Sequence, residues 1–257
     1  MRLQILSDLH LETEDFAPEP APGAELLVLA GDIDSRWAGF ERFRGWPVPV
    51  LYVAGNHEFD EREFDDVWPA LRERCNALGF TMLERQSALL TDANGRRIRF
   101  VATIRWSDLD LLGTRDRDRV WRSAAYFMKI MRATRHGLPF DAGGVREEAL
   151  ACRAWLAAEL ARANDGWDAT VVITHYGPSL RSCDPRFGDQ PGTASFCNAD
   201  DDLLPRADLW IHGHVHCRHD YRVARGDGTS MRVVCNARGH ARKGEAENFD
   251  GKMVVEV

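Results

Sequence analysis

The stretch Leu209–Cys217, LWIHGHVHC, starts fully apolar and then carries an imidazole at every second position: His212, His214 and His216. Alternate residues of an extended chain share a face, so the three could decorate a solvated strand. Neutral imidazole is also the commonest side-chain ligand for borderline metals. Open α/β sheets bind ligands at the carboxyl ends of their strands. An apolar run that stops in ligand-type residues therefore has a natural place in such a fold.

Four other segments have the same form. LQILSDLH (3–10) ends in Asp8 and His10, and LLVLAGDID (26–34) ends in Asp32 and Asp34. VLYVAGNHE (50–58) ends in Asn56, His57 and Glu58, and TVVITHYGP (170–178) leads into His175. A single Asp or His after a strand is ordinarily a turn former or helix cap. Turn chemistry does not account for five such ends, which place His10, His57, His175, His214 and His216, five of the nine histidines, just past the apolar runs. These side chains are expected to converge along one sheet edge although they span more than 200 positions.

Short apolar strands alternate with amphipathic helices, which favours an α/β layered fold. Strands are expected at 3–6, 26–29, 48–53, 98–103, 170–174 and 208–211, followed by an antiparallel-looking group at 219–224, 231–235 and 253–257. Helices are expected at 36–44, 61–78, 116–135 and 145–163. The chain has 257 residues, 44% hydrophobic and 28% charged, with net charge −7. That acidity argues against a nucleic-acid partner. The six cysteines form no C-x-x-C pair, so neither a disulfide framework nor a zinc ribbon is indicated. No apolar stretch reaches the roughly 18 residues of a membrane span, and the N-terminus lacks a signal-peptide pattern. A cytoplasmic location is expected. Nothing in the sequence speaks to oligomeric state.

Taken in order, D-x-H, G-D-x-x, G-N-H-E, a lone strand-end His and G-H-x-H resemble the calcineurin-like metallophosphoesterase superfamily. The resemblance implies an α/β, four-layer αββα sandwich, in which two packed mixed sheets are flanked by helices. It implies one domain over 1–257, with 104–148 as a helical cap insertion. It also implies two divalent ions, one held by Asp8, His10 and His216 and the other by Asn56, His175 and His214, with Asp32 shared. His57 resembles the family's catalytic histidine. It needs an orienting carboxylate, for which Asp34 is the nearest motif-linked candidate and Asp60 another.

The donor set of N and O atoms suits Mn, Fe, Zn, Co or Ni rather than Ca. Two divalent ions exceed the charge of two carboxylates, leaving a local positive site for a phosphate ester inside an acidic protein. The expected activity is hydrolysis of a small phosphate ester by a hydroxide shared between the ions. Diesters, such as nucleotides, are favoured over monoesters. The alternatives are a protein phosphatase or a non-catalytic scaffold on the same fold. Arg115, Arg117, Arg119, Arg122, Lys129, Arg132 and Arg135 either grip substrate phosphate from the cap or form a solvated helix face. The long loop after His175 is a second candidate for substrate selection, and Asn236 and Arg238 a third. His212 reads equally as a support for the ligands or as a packed residue. His136, His219 and His240 read as structural. Tyr176 stands where many relatives carry a second histidine.

Overall fold

The computed structural model describes residues 1–257. Thirteen strands are present: β1 (Arg2–Leu6), β2 (Leu26–Ala30), β3 (Val50–Val53), β4 (Phe80–Met82), β5 (Gln86–Thr91), β6 (Arg97–Ala102), β7 (Thr134–Arg135), β8 (Leu138–Pro139), β9 (Ala169–Ile173), β10 (Leu209–His212), β11 (Arg218–Ala224), β12 (Ser230–Asn236) and β13 (Val254–Glu256). Three α-helices join them: α1 (Phe64–Leu78), α2 (Arg117–Met131) and α3 (Ala142–Leu160).

The strands form two large mixed sheets and one small hairpin. The first sheet runs β13-β1-β2-β3-β4, parallel except for β13. The second runs β11-β12-β10-β9-β6-β5, with antiparallel strands only at its two edges. Parallel strands covered on both faces read as continuous apolar runs, and β2, β3, β9 and β10 are buried at every residue. Ile5, Val28, Leu51 and Val53 of the first sheet meet Phe100, Val171, Ile211 and Val234 of the second in an apolar layer between them. On the outer face of the first sheet, α1 places Val67 and Leu71 against Leu27, Leu29 and Tyr52. On the outer face of the second, α3 places Leu156 and Leu160 against Val101, Val172 and Trp210. The result is the four-layer sandwich.

Several boundaries differ from the sequence expectations for identifiable reasons. The expected helix 36–44 is a 3-10 turn, Ala38–Phe43, because Asp34 accepts hydrogen bonds from the Arg36 and Gly39 amides, both at 2.6 Å. α2 stops at Met131, short of the expected 135. Arg132 turns the chain at φ 53°, and the backbone then bonds to residues 61–62 instead of continuing the helix. β4 has only three residues, and β5 is an exposed edge without an apolar run, so neither carried a strand signal. The six cysteines are free thiols. No helix is long and apolar enough to cross a membrane.

Candidate metal centre

The carboxyl ends of β1, β2, β3, β9 and β10 meet at one edge of the sandwich. Asp8, His10, Asp32 and His216 bring ligand-type atoms within 4.8 Å of one another, and so do Asp32, His175 and His214. Asp32 belongs to both groups. The Asn56 Oδ1 lies 3.2 Å from the His175 Nε2. All seven residues read from the sequence as ligands therefore stand together.

The backbone is bent to achieve this. Asp8, His10, Asp32, His214 and His216 all have positive φ, between 47° and 69°. Non-glycine residues in that region cost about 1–3 kcal/mol each and cluster at functional sites. The motif glycines allow close approach. A Cβ on Gly213 would fall 2.5 Å from the Asp8 Oδ2, and one on Gly55 would overlap the Asp32 carboxylate. The two Asp8 oxygens accept the His214 amide at 2.9 and 3.0 Å, which locks β1's end to β10's end.

Each imidazole is oriented through its far nitrogen. The His10 Nδ1 lies 3.2 Å from Glu12 and the His216 Nδ1 2.8 Å from Glu245. Donation to those carboxylates leaves both Nε2 lone pairs facing one point, 3.0 Å apart. Two nitrogens about 2.0–2.1 Å from one ion lie about 2.9 Å apart when they meet at right angles. The His175 Nδ1 donates to the Ala30 carbonyl at 2.8 Å, which turns its Nε2 towards the Asp32 Oδ2 and Asn56 Oδ1, each at 3.2 Å. The His214 Nε2 donates to the Ser195 carbonyl at 3.3 Å, freeing Nδ1 for the site. The Asp32 Oδ2 is buried, and its one charge partner is the His175 Nε2. Burial of a carboxylate oxygen with so few partners is costly, and a cation offsets that cost. The donor set fits a pair of divalent ions.

The protein's own charges are unbalanced here. Burial pushes the Asp32 carboxyl up, but His175 and His57 outweigh it and hold it well below the usual range. Burial pushes His175 down, and Asp32 outweighs it, raising the imidazole to about 9. His57 behaves likewise: burial lowers it, while Asp32 and then Asp60 raise it to about 10. Burial, and then the neighbouring His175, hold His214 well below its ordinary value. Cations between the carboxylates would oppose the two upward shifts.

His57 lines the cavity beside these ligands. Its Nδ1 is 2.7 Å from the Asp60 Oδ2, so Asp60 is the orienting carboxylate and the expectation for Asp34 is corrected. Asp34 is occupied in the 36–39 turn, where capping uses both of its oxygens. Glu58, quoted in the motif but given no role, is fully buried. It accepts the Asp32, Ile33 and Gly55 amides at 3.1, 2.8 and 2.6 Å and so fixes the loop carrying the shared aspartate. Glu12, two residues after His10, carried a local signal. Glu245 did not, since it arrives from 29 residues beyond His216.

Other expectations resolve as follows. His240, read as structural, stacks on the His10 ring at 4.5 Å and lines the cavity. His212 is buried behind the ligands, with its Nδ1 on the Gly213 carbonyl. His219 pairs with Cys217, and His136 is exposed. Asn236 ties β12 to the Ile5 and Asp250 carbonyls, and Arg238 is held by Glu14, so neither serves the site directly. Tyr176 packs on the His214 ring at 4.1 Å. Arg115, Arg117, Arg119, Arg132 and Arg135 pair with neighbouring carboxylates, and none of the seven basic residues from 115 to 135 lines the cavity at the ligands.

Two packed mixed sheets with this carboxylate, imidazole and amide cluster at their shared edge define a cation-dependent class of hydrolase. A family model for calcineurin-like phosphoesterases matches residues 1–218, and the chain belongs to that family. It is a metal-dependent phosphoester hydrolase of a dinuclear family. Among solved structures, the phosphopantetheinyl hydrolase of Mycobacterium tuberculosis is similar over 99% of this chain and 95% of its own, with a TM-score of 0.73 and 19% identity. A dimetal phosphatase from Danio rerio is similar over 91% of this chain and 86% of its own, with a TM-score of 0.48 and 14% identity. The first of these is a likeness of fold. The comparison with curated proteins finds no match.

Proposed function

We propose that this protein hydrolyses small phosphodiesters. Asp8, His10 and His216 hold one divalent ion, Asn56, His175 and His214 hold a second, and Asp32 serves both. One observation carries the ligand assignment: the Asp32 Oδ2 is buried between ligand-type atoms of both groups, with the His175 Nε2, 3.2 Å away, as its one charge partner. A proton on His175 would satisfy that oxygen alone. A pair of ions also accounts for the facing Nε2 atoms of His10 and His216. When bound, such ions lower the pKa of water and offset the charge on a phosphoryl group.

The remaining work falls to the chain. Glu12, Glu245 and the Ala30 and Ser195 carbonyls fix which nitrogen each imidazole presents. His57, turned by Asp60, offers its Nε2 to the departing ester oxygen as proton donor. Residues 104–148 are the cap of a single domain, since α2 closes one wall of the cavity. The diester preference is supported by room: the cavity at the ligands measures about 540 Å³. Sites enclosing a drug-sized ligand span roughly 300–1,000 Å³, far more than a phosphoryl group needs. Mn²⁺ is the ion to try first, as one of the metals suited to mixed N and O donors.

The test is to load the protein with Mn²⁺, count bound ions and assay bis(4-nitrophenyl) phosphate against 4-nitrophenyl phosphate. Two ions per chain and faster turnover of the diester are expected. Two bound ions with no turnover of either ester would favour a scaffold.

A further inference from the structure

The cavity has two unlike walls. Leu109, Phe127, Met128, Met131, Val145 and Phe196 line one side, and Asn56, His57, His214 and His216 form the floor. The apolar wall is built mainly by α2, whose arginines point elsewhere. Arg117 pairs with Asp110 and Arg119 with Asp116, while Arg119 and Arg122 face a neighbouring pocket on the far side of Phe127 rather than this cavity. Arg186, whose guanidinium lies 5.5 Å from the Phe187 ring, is committed to Asp184, 2.6 Å away, with Glu245 at 3.7 Å. A further anionic group on the substrate would find little free positive charge there beyond Lys243.

The apolar surface also extends past the cavity. Ile130 and Phe187 line it yet remain 52% and 60% exposed. Contiguous apolar side chains left in water at the rim of a site mark a surface that a ligand covers. Flexible Met and branched aliphatic residues adapt to a chain-like group. They offer none of the paired donors and acceptors that would read a nucleobase edge.

We infer that one ester substituent of the substrate is a flexible, uncharged, chiefly aliphatic chain. It runs from the phosphoryl group along α2 and out over Ile130 and Phe187. This rests on the proposed phosphodiester reading and names its substrate class. Phe127, Met128 and Phe196 are then specificity residues.

The Mn²⁺-loaded protein can be assayed with methyl, hexyl and decyl 4-nitrophenyl phosphates, which share one leaving group. A fully buried methylene contributes about fourfold in binding, so kcat/KM is expected to climb several-fold per methylene until the chain clears the mouth. Thymidine 4-nitrophenyl phosphate is expected to fall below the decyl ester. In Met128→Glu the decyl-to-methyl ratio is expected to drop towards one. Calorimetric titration of decylphosphonate against methylphosphonate reads the same preference without turnover. Hydrolysis with equal constants for all chain lengths, or preference for the thymidine ester, overturns the inference and leaves the phosphodiester reading standing. Tighter decylphosphonate binding with no hydrolysis does the reverse.

Discussion

At the scale of single residues, His57 and Asp32 divide the site into chemistry and assembly. His57 contributes its backbone amide to the Asp32 Oδ1 at 2.9 Å and its ring to the cavity. Truncating only the ring keeps the first contact. His57→Ala is therefore expected to retain two ions and lower kcat by about 10²–10⁴-fold, the usual weight of acid–base assistance. An unchanged kcat would remove the ring from the reaction. Asp60→Asn is expected to lower kcat by a smaller factor, because the amide orients the imidazole but does not support its charge. Asp34→Asn should leave kcat near the wild-type value and act on stability, since its contacts are amides of the 36–39 turn. The reverse ranking of these two variants would return the orienting role to Asp34. Asp32→Ala deletes the one carboxylate common to both ligand groups. Metal analysis is expected to find at most one ion, with activity lost. Two retained ions would show that the carboxylate is not shared.

At the scale of elements, the strands that position ligands were the most legible. β1, β2, β3, β9 and β10 are short, buried and apolar, and each ends in a polar residue that no turn requires. β4 and β5 escaped because three residues and a polar edge carry no periodic signal. The ligands were legible because their order along the chain is fixed. Glu245 and His240 were not, because tertiary folding of the chain after β12 brings them back to His216 and His10. β10 also contains its own test. His212 is its last residue, fully buried, with its Nε2 unpartnered, and burial holds its imidazole down at about 3. The unfolded chain takes up that proton near 6.5, so between the two values the unfolded state binds more protons. The stability that comes from burying His212 neutral is whole above 6.5 and lost as pH falls towards 3. His212→Asn removes this dependence. Urea unfolding at pH 7 and pH 5 should show the variant's deficit relative to wild type shrinking by about 2 kcal/mol at the lower pH. A deficit equal at both pH values would mean that His212 is not buried neutral.

At the scale of the whole molecule, the site is a place where folding and ion binding are one equilibrium. Two sheets, five strand ends and the segment after β12 converge on carboxylates that repel one another and imidazoles that need a partner. Ligands that bind only the folded state stabilise it by mass action, by about 2.7 kcal/mol at a hundredfold excess over Kd. In a chain of roughly this size that corresponds to about 5–10 °C in Tm. Added Mn²⁺ is expected to raise Tm by that order at pH 8, and a chelator to reverse it. The gain must depend on pH. Asp32 holds His175 at about 9, so a ligating ion has to displace its proton. Each pH unit below that value costs about tenfold in affinity for one displaced proton. At a fixed Mn²⁺ concentration the rise in Tm should therefore shrink sharply from pH 8 to pH 6. Thermal melts at both pH values, with and without the ion, read this directly. In His175→Ala the second ion loses a ligand, and both the gain and its pH dependence should diminish together. A Tm gain equal at pH 6 and pH 8 would place the bound ion away from His175 and separate ion binding from the convergence of the two sheets.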